Sequence, residues 1–383
     1  METLRVLRIQ SRICIGGPAL NSIYLSAHLG EPFQTILVGG RLESGESTLE
    51  PLAHDLGVPI KILDDMGRRV SWLDDWRAFR TLIKIIRLYR PHIVHTHTAK
   101  AGALGRLAAF FCRVPIRVHT FHGHVFEGYF SRWGNLAVRW AERGLALIST
   151  AIVAISPRQQ DDLIRRFRIT SHRKCHVIRL GFKLKDLSKG RPGVFRQQLG
   201  IPEAARFAAI IARLVPVKNH SLLLESLSIW LKQSDISPDQ FRLAIIGDGE
   251  LRATLEEQCR ALNLEAWVTF TGWQTNMADI YADIDLNVLV SRNEGTPVTL
   301  IEGLAAGVPL ITTDVGGVRD IVEPDQGIVI DPQSKPETLA EALKQWWLSP
   351  SPRLSPEAQL RIRNQFSVER LVNDMEALYR SLL

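Results

Sequence analysis

The chain has few cysteines and no long apolar run, and these two absences limit its class and its compartment. Its 383 residues include four cysteines, none in a C-x-x-C pair, so we expect no disulfide framework and a reducing cytoplasm. The longest apolar stretch, residues 145–155, contains Ser149 and Thr150 and is shorter than the roughly 20 residues that cross a bilayer. The first residues alternate in character, which indicates a strand rather than a signal peptide. We expect a cytoplasmic protein, at most peripheral on the inner membrane face.

The sequence also lacks a complete dinucleotide fingerprint. Gly247-Asp248-Gly249 lies between a strand-like run and a helical one, but Arg252 occupies the position of the third glycine. A dehydrogenase is therefore disfavoured. Gly247 and Gly249 remain candidate binding residues, because glycine carries no side chain that would block the close approach of a ligand.

Five histidines lie close together in the sequence, at positions 95, 97, 119, 122 and 124. H-x-H pairs at strand ends can bind zinc. No cysteine lies among these histidines, however, and Glu127 is the only acidic residue near them, so we expect neither a metal nor a cofactor. Two alternatives stay open: hydrogen bonds to a sugar and phosphate, or buried structural histidines bonded to carbonyl oxygens.

Positive charge is concentrated in the first half of the chain. Residues 1–180 hold 26 Lys and Arg against 14 Asp and Glu, while the remainder holds 21 against 26. The basic half is expected to bind an anionic partner or to lie near an anionic membrane surface, although solubility alone is an alternative. No nucleic-acid partner is expected.

A basic helix is predicted to follow a capping box at Ser71. Its cations recur every three or four residues, at Arg77, Arg80, Lys84 and Arg87. Such a helix docks on anionic lipid or simply covers a sheet with its basic face in solvent.

Strand-like and helical runs alternate along the chain, which predicts an α/β protein with two Rossmann-like domains facing each other across a cleft. Every candidate motif follows a strand-like run, and ligands bind at the carboxyl ends of strands in such sheets. We predict a first domain over residues 1–182 and a Gly- and Pro-rich linker over 183–203. A second domain over 204–360 and a C-terminal helix over 361–383, which returns to the first domain, follow.

The most informative stretch is EGTPVTLIEGLAAGVPLITTDVGGVRDIV, which begins at Glu294 and places Glu302 eight residues later. A helix is predicted to begin near Thr299 and Leu300. The unpaired N–H groups and partial positive charge of a helix N-terminus suit a diphosphate. A carboxylate one turn into that helix can accept hydrogen bonds from a ribose diol.

Arg213 and Lys218 follow another strand-like run. Two fixed cations at a strand end can clamp a diphosphate and stabilise a leaving nucleotide. Gly16 and Gly17 follow the first strand and precede a helix, where backbone amides can approach a ligand.

The pattern E-G-x-P…E-G-x-A-x-G-x-P over residues 294–309 resembles the signature of retaining nucleotide-sugar glycosyltransferases of family 4, which have the GT-B fold. The R…K pair, the Gly-Gly loop and the H-x-x-H-G segment are similar to that family as well. The resemblance implies that Glu302 holds the ribose, that Glu294 holds the donor sugar, and that His122 approaches the reaction centre. It further implies that Lys100 and His97 line the acceptor side, that Gly247 and Gly249 approach the nucleotide, and that Trp273 lies against the nucleobase. The first domain would then bind the acceptor, and the second would bind the nucleotide sugar. Residues 179–182 depart from the family's usual turn.

The resemblance implies transfer of a hexosyl group from a nucleotide diphosphate sugar, with UDP favoured, to a saccharide or lipid-linked saccharide acceptor. The anomeric configuration would be retained, no metal would be needed, and the product would be a cell-surface polysaccharide or glycolipid. Two alternatives remain, a nucleotide-sugar epimerase of the same fold and a non-catalytic nucleotide-sugar-binding module.

Overall fold

The computed structural model of the chain describes residues 3–43, 47–67, 71–123, 126, 132–349 and 353–383. The chain divides into two units. Unit 1 consists of Met1–Phe182 and Phe366–Leu383, and unit 2 consists of Lys183–Gln365.

Unit 1 is built on a parallel sheet of seven strands in the described residues, in the order β3-β2-β1-β4-β5-β6-β7. The strands are β1 Leu4–Ile9, β2 Phe33–Gly40, β3 Ile60–Leu63, β4 Ile93–His97, β5 Ile116–Phe121, β6 Ala151–Ala154 and β7 Cys175–Val177. The helices are α1 Gly17–His28, α2 Glu50–Asp55, α3 Trp72–Tyr89, α4 Ala99–Phe111, α5 Arg132–Ile148 and α6 Pro157–Asp161, followed by a π-helical turn at Asp162–Arg166.

Unit 2 contains a second parallel sheet, with six strands in the described residues, in the order β10-β9-β8-β11-β12-β13. The strands are β8 Arg206–Ile211, β9 Phe241–Ile246, β10 Val268–Gly272, β11 Leu286–Leu289, β12 Leu310–Thr313 and β13 Gly327–Ile330. The helices are α7 Val194–Gln198, α8 His220–Lys232, α9 Arg252–Ala261, α10 Met277–Asp283, α11 Val298–Ala305, α12 Pro336–Leu348 and α13 Pro356–Gln365. Short 3₁₀ turns lie at Leu184–Lys189, Pro216–Lys218 and Val318–Asp320.

The central strands are short apolar runs because parallel sheets are covered by helices on both faces. Five of the six residues of β8 are buried, as are four of the six in β1. In unit 1, α3 and α4 pack against a core that includes Leu7, Ile9 and Val94. In unit 2, α8 and α12 enclose a core that includes Trp230 and Phe241.

The last helix, α14 Val368–Leu382, belongs to unit 1. The backbone N–H of Phe182 donates to the carbonyl of Phe366 at 2.8 Å, and the Arg370 guanidinium donates to the carbonyls of Arg179 and Leu180. On α14, the Tyr379 side chain is fully buried. The predicted fold class, two Rossmann-like domains with a C-terminal helix that returns to the first, is confirmed.

The segment predicted as a linker, residues 183–203, is folded. It carries a 3₁₀ turn and α7, with Phe195 buried in the unit 2 core. Arg191 forms an ion pair with Asp279 at 2.7 Å, and Asp283 accepts backbone N–H bonds from the same segment. The glycines and prolines that indicated a linker therefore shape turns within unit 2.

None of the helices in the described ranges combines the length and the apolar character that crossing a bilayer requires.

Candidate functional site

The strand order of unit 2 creates a topological switch point between β8 and β11. From β8 the chain moves outward to β9 and β10, and it then returns to the opposite side of β8 for β11 and β12. In parallel α/β sheets, ligands bind beyond the carboxyl ends of the strands at such a point. Arg213 and Lys218 follow β8, and Glu294 follows β11, so three of the predicted site residues flank the switch point.

Lys218 and Glu294 form an ion pair there. The Lys218 Nζ donates to Oε1 of Glu294, and the Ser291 hydroxyl donates to the same oxygen at 2.6 Å. The two charged side chains are only 18% and 11% exposed. Because both are largely withdrawn from water, their attraction is screened less than that of a surface pair. The loops that carry them are also joined, since the N–H of Arg292 donates to the carbonyl of Val217 at 2.8 Å.

Arg213 is placed differently from Lys218. Its side chain is exposed, and it makes no hydrogen bond or ion pair with the described residues. Its role in binding a diphosphate stays a prediction.

His220 is a site feature that the sequence analysis missed. It is the first residue of α8, two positions after Lys218, and it is buried. Burial, with the Lys218 charge as a second cause, lowers its pKa to about 4, so the imidazole is neutral at pH 7. Neither ring nitrogen has a hydrogen-bond partner within the described chain.

Helix α11 begins after Pro297, as predicted near Thr299 and Leu300, and no side chain caps it. The first N–H groups of a helix have no intrahelical acceptor, so they remain available to an anion. One turn later, Glu302 lies beside the buried Tyr281, whose hydroxyl is 3.1 Å from both the Glu302 Oε2 and the Thr299 carbonyl. Burial raises the pKa of Glu302 to about 7, partly offset by the Tyr281 hydrogen bond. The Glu302 side chain, which the sequence analysis treated as a carboxylate, is therefore partly protonated at neutral pH.

Gly247 and Gly249 follow β9, and the backbone of a neighbouring loop leaves no room for a side chain at either position. A Cβ at Gly247, where φ is +130°, would lie 2.1 Å from the Ala212 carbonyl oxygen, and a Cβ at Gly249 would lie 2.6 Å from that of Leu214. The two glycines let the loop after β9 pack on the loop after β8. Their contact with a nucleotide stays a prediction.

The loops after β11 and β12 approach each other in the same way. Gly316 has φ +53°, and a Cβ on it would lie 2.0 Å from the Glu294 carbonyl oxygen. The N–H of Gly317 donates to the Gly295 carbonyl at 2.7 Å. The position of Glu294 therefore depends on a neighbouring loop as well as on its own strand.

In unit 1 the switch point lies between β1 and β4. Gly16 and Gly17 follow β1 and begin α1, as expected. His97 ends β4, and His122 follows β5. The Nδ1 of His97 lies 2.9 Å from the Nε2 of His122, so one of these nitrogens carries the shared hydrogen.

Both of these histidines are neutral. Burial lowers the pKa of His122 to about 3 and holds that of His97 well below its usual value. The His97 Nε2 and the His122 Nδ1 are buried and have no hydrogen-bond partner among the described residues. The pair therefore offers two ring nitrogens for hydrogen bonding and no positive charge.

Two other histidines of the cluster, His95 and His119, are hydrogen-bonded to side chains of unit 1. Alternation along β4 separates His95 from Thr96, and the two side chains contact different partners. His95 bonds to Thr120 at 2.7 Å and to Tyr379 at 2.6 Å, while His119 bonds to Thr96 at 2.9 Å. His95 and His119 are thus buried, and these bonds are to hydroxyl groups, not to the carbonyl oxygens that the structural alternative expected. His124 and Glu127 lie outside the described residues.

Two further unit 1 residues lie close to the switch point. Thr98 has φ +63° and ψ 161°, a conformation that β-branched residues rarely adopt, and its hydroxyl is 2.6 Å from that of Ser11. No local pattern of residues predicted this strained position. Lys100, which was expected to line the acceptor side, forms an ion pair with Asp75 of α3.

Two family models match the chain in separate parts. The model described as "Glycosyltransferase Family 4" matches residues 41–186, and "Glycosyl transferases group 1" matches residues 193–364. Together they account for most of both units.

The chain is similar to two named bacterial proteins. It is 29% identical over 262 residues to an Escherichia coli protein named UDP-Gal:alpha-D-GlcNAc-diphosphoundecaprenol alpha-1,3-galactosyltransferase. The aligned region covers 67% of this chain and 66% of that relative. It is also 29% identical over 245 residues to EpsF of Bacillus subtilis, which is named as a glycosyltransferase. This aligned region covers 62% of this chain and 60% of EpsF. The chain thus spans less than two thirds of the length of each.

Among solved structures, the chain resembles the Anabaena protein HepE, described in complex with UDP and glucose. The TM-score is 0.80 at 19% identity, over 99% of this chain and 100% of that one. At this identity the likeness concerns the fold.

Proposed function

The chain belongs to the family 4 glycosyltransferases, and from that premise we propose that it transfers a hexosyl group from a nucleotide diphosphate sugar to an acceptor hydroxyl. The favoured donor is a UDP-sugar. This choice is supported by the UDP-Gal in the name of the E. coli relative and by the UDP bound to HepE. The proposal includes retention of the anomeric configuration and independence of metal ions.

The ion pair at the unit 2 switch point carries this proposal. A leaving nucleotide diphosphate develops negative charge, and preorganised donors lower the barrier when they stabilise that charge. Lys218 has three N–H donors, of which one is given to Glu294. The others, with Arg213 and the N–H groups of Thr299 and Leu300, would stabilise the diphosphate.

Glu294 would position the donor sugar. Both of its described hydrogen bonds use Oε1, so Oε2 would accept from sugar hydroxyls. Glu302 would accept from the ribose diol. His122, neutral because it is buried, would hydrogen-bond the sugar or the acceptor without adding charge. Attack from the face of the leaving group, which the family resemblance implies, needs no protein nucleophile.

The proposed acceptor is a lipid-linked saccharide, in the synthesis of a cell-surface polysaccharide or glycolipid. The E. coli relative is named for a diphosphoundecaprenol acceptor. The protein would then act peripherally at the inner face of the membrane, where such an acceptor is presented.

Replacement of Lys218 tests the proposal. Lys218→Ala should lower kcat/KM at least tenfold, which corresponds to about 1.4 kcal/mol of transition-state stabilisation. The measurement is acceptor-dependent release of UDP from UDP-glucose and UDP-galactose, with a polyprenyl-diphosphate sugar as acceptor. Lys232→Ala, an exposed lysine at the end of α8, is the matched control and should leave the rate unchanged. EDTA should leave the rate of the wild type unchanged.

Three results would contradict the proposal. A Lys218→Ala enzyme within twofold of wild type would remove the charge-stabilising role. Formation of an epimerised sugar without any acceptor would favour an epimerase. Calorimetric binding of UDP-sugars without turnover on any acceptor would favour a binding module.

A further inference from the structure

Helices α3, α4 and α5 form one layer on unit 1. Each leads to a strand further along the sheet in the same direction, and right-handed crossovers place such helices on the same face. Neighbouring helices in the layer are in contact. The rings of Phe79 and Phe111 join α3 to α4 with centroids 6.1 Å apart, and Arg106 of α4 pairs with Glu142 of α5 at 2.7 Å.

The solvent face of α5 is apolar. Its exposed residues follow helical spacing, and they include Trp133 at 80%, Trp140 at 62% and Leu147 at 80% exposure. The full described set is Trp133, Leu136, Ala137, Trp140, Ala141, Gly144 and Leu147. The charged residue Glu142, by contrast, points inward to the buried Arg106. The inward side of α5 also carries apolar residues, with Leu145 and Ala146 buried. Among its described residues, the helix therefore lacks the polar outer face that a helix covering a core usually presents to water.

The apolar character continues on α3 and α4. Trp72 is 90% exposed and Trp76 is 58% exposed, and Trp76 stacks on Phe79, which contacts Phe111. Phe110 and Phe111 are exposed at the end of α4. The rest of α3 presents an exposed basic row formed by Arg77, Arg80, Lys84 and Arg87.

We propose that the outer face of this three-helix layer docks on an anionic lipid bilayer, with the α5 tryptophans in the interface and the α3 cations on the headgroups. Large exposed apolar patches mark interaction sites, and tryptophan is enriched at the membrane–water interface. Lysines and arginines beside such a face are attracted to anionic lipid. A second copy of the chain fits less well, because pairing two such faces would bring two basic rows together.

This inference deepens the proposed function, since it supplies the surface on which a lipid-linked acceptor would be met. The docking itself requires neither donor nor acceptor. It is therefore tested without any transfer reaction.

The test is flotation with vesicles made of equal parts phosphatidylglycerol and phosphatidylcholine. The wild type should float with these vesicles and should float less with phosphatidylcholine alone or at high salt. The double variant Trp133→Ser/Trp140→Ser should partition at least about tenfold more weakly. Arg80→Glu/Lys84→Glu should weaken binding to the anionic vesicles alone. The control is Leu348→Ser/Leu360→Ser, which changes two exposed leucines of unit 2 and should float as the wild type does.

The increase in Tm on addition of UDP shows whether each variant is folded. All variants should show the same increase as the wild type, so that a change in flotation reports on docking alone. The inference is overturned if the wild type stays in the soluble fraction at low salt, or if the tryptophan variant floats as well as the wild type. It is also overturned if light scattering shows that the wild type is a dimer without lipid and that the tryptophan variant is a monomer. The apolar face would then bind a second copy of the chain. If the wild type floats with the vesicles but shows no transferase activity, the result would count against the proposed reaction and not against the docking.

Discussion

Desolvation sets the charge of individual candidate residues in each unit. It lowers the pKa of His122 in unit 1 to about 3 and that of the buried His220 in unit 2 to about 4, so both are neutral at physiological pH. Glu302 is shifted in the opposite direction, to about 7. All three shifts favour the uncharged form. Lys218 and Glu294, by contrast, form an ion pair at the unit 2 switch point.

The raised pKa of Glu302 predicts a pH-dependent stability. Since the folded protein binds this proton more tightly than the unfolded chain does, stability is fully present below the ordinary pKa of 4.5 and is lost as the pH rises toward about 7. Glu302→Gln, which mimics the protonated acid, should match the wild type near that lower pH. Above neutral pH it should be more stable, by on the order of 3 kcal/mol. Thermal unfolding across this pH range gives the comparison.

The exposed Glu257→Gln on α9 serves as its control and should follow the wild-type curve at every pH. Parallel melting curves for wild type and Glu302→Gln would show that the Glu302 carboxyl titrates as an ordinary glutamate.

The sequence predicted the chemistry of individual residues better than their partners. Lys218 and Glu294 were identified as site residues, but their ion pair joins positions 76 residues apart and depends on the order of β8 and β11. The hydroxyl of Tyr281 beside Glu302 and the strained Thr98 have no local signal either. Such contacts are set by tertiary packing, which a spacing of residues does not encode.

At the scale of elements, the loops beyond the strands hold one another in place, and Gly316 is where the loops after β11 and β12 meet. Gly316→Ala should destabilise unit 2 for two reasons, the positive φ of +53° and the 2.0 Å approach of its Cβ to the Glu294 carbonyl. We expect a fall in Tm of several degrees and weaker binding of UDP, because Glu294 would move. Thermal unfolding and calorimetry measure the two effects.

Gly193→Ala separates the two causes, because Gly193 has a φ of +87° and open space where its Cβ would lie. It should show the backbone cost alone and keep wild-type affinity for UDP. Equal losses of affinity in both variants would argue against loop contact as the cause.

Element types were easier to predict than element ends. The strand expected in the first residues and the Ser71 cap of α3 were predicted correctly, since both depend on local pattern. The C-terminal helix expected over residues 361–383 is instead divided between two helices, α13 and α14. Ser367 caps the second of these by accepting from the N–H of Arg370, so the chain ends one helix and begins another there.

At the scale of the whole molecule, unit 1 is completed by a segment that lies far away in the sequence. Arg8 is fully buried on β1 and donates to His95 at 2.9 Å and to Tyr379 of α14 at 3.3 Å. A chain that ends after Gln365 should lose the cooperative unfolding of unit 1 and keep that of unit 2, because α14 covers this buried cation. Scanning calorimetry and limited proteolysis would reveal the loss.

The variant Leu382→Ser changes the last residue of α14 and leaves the rest of the helix in place, so it serves as the control for that truncation. Its Tm should be close to that of the wild type. Unchanged unfolding of unit 1 in the shortened chain would show that the helix is dispensable.

This arrangement has a consequence for synthesis. On the ribosome, residues 183–365 can fold before unit 1 does, because unit 1 also needs residues 366–383, which are made later. A chain whose synthesis stops before residue 366 would therefore have a folded unit 2 and an incomplete unit 1. Intracellular proteases would then cleave unit 1 in preference to unit 2.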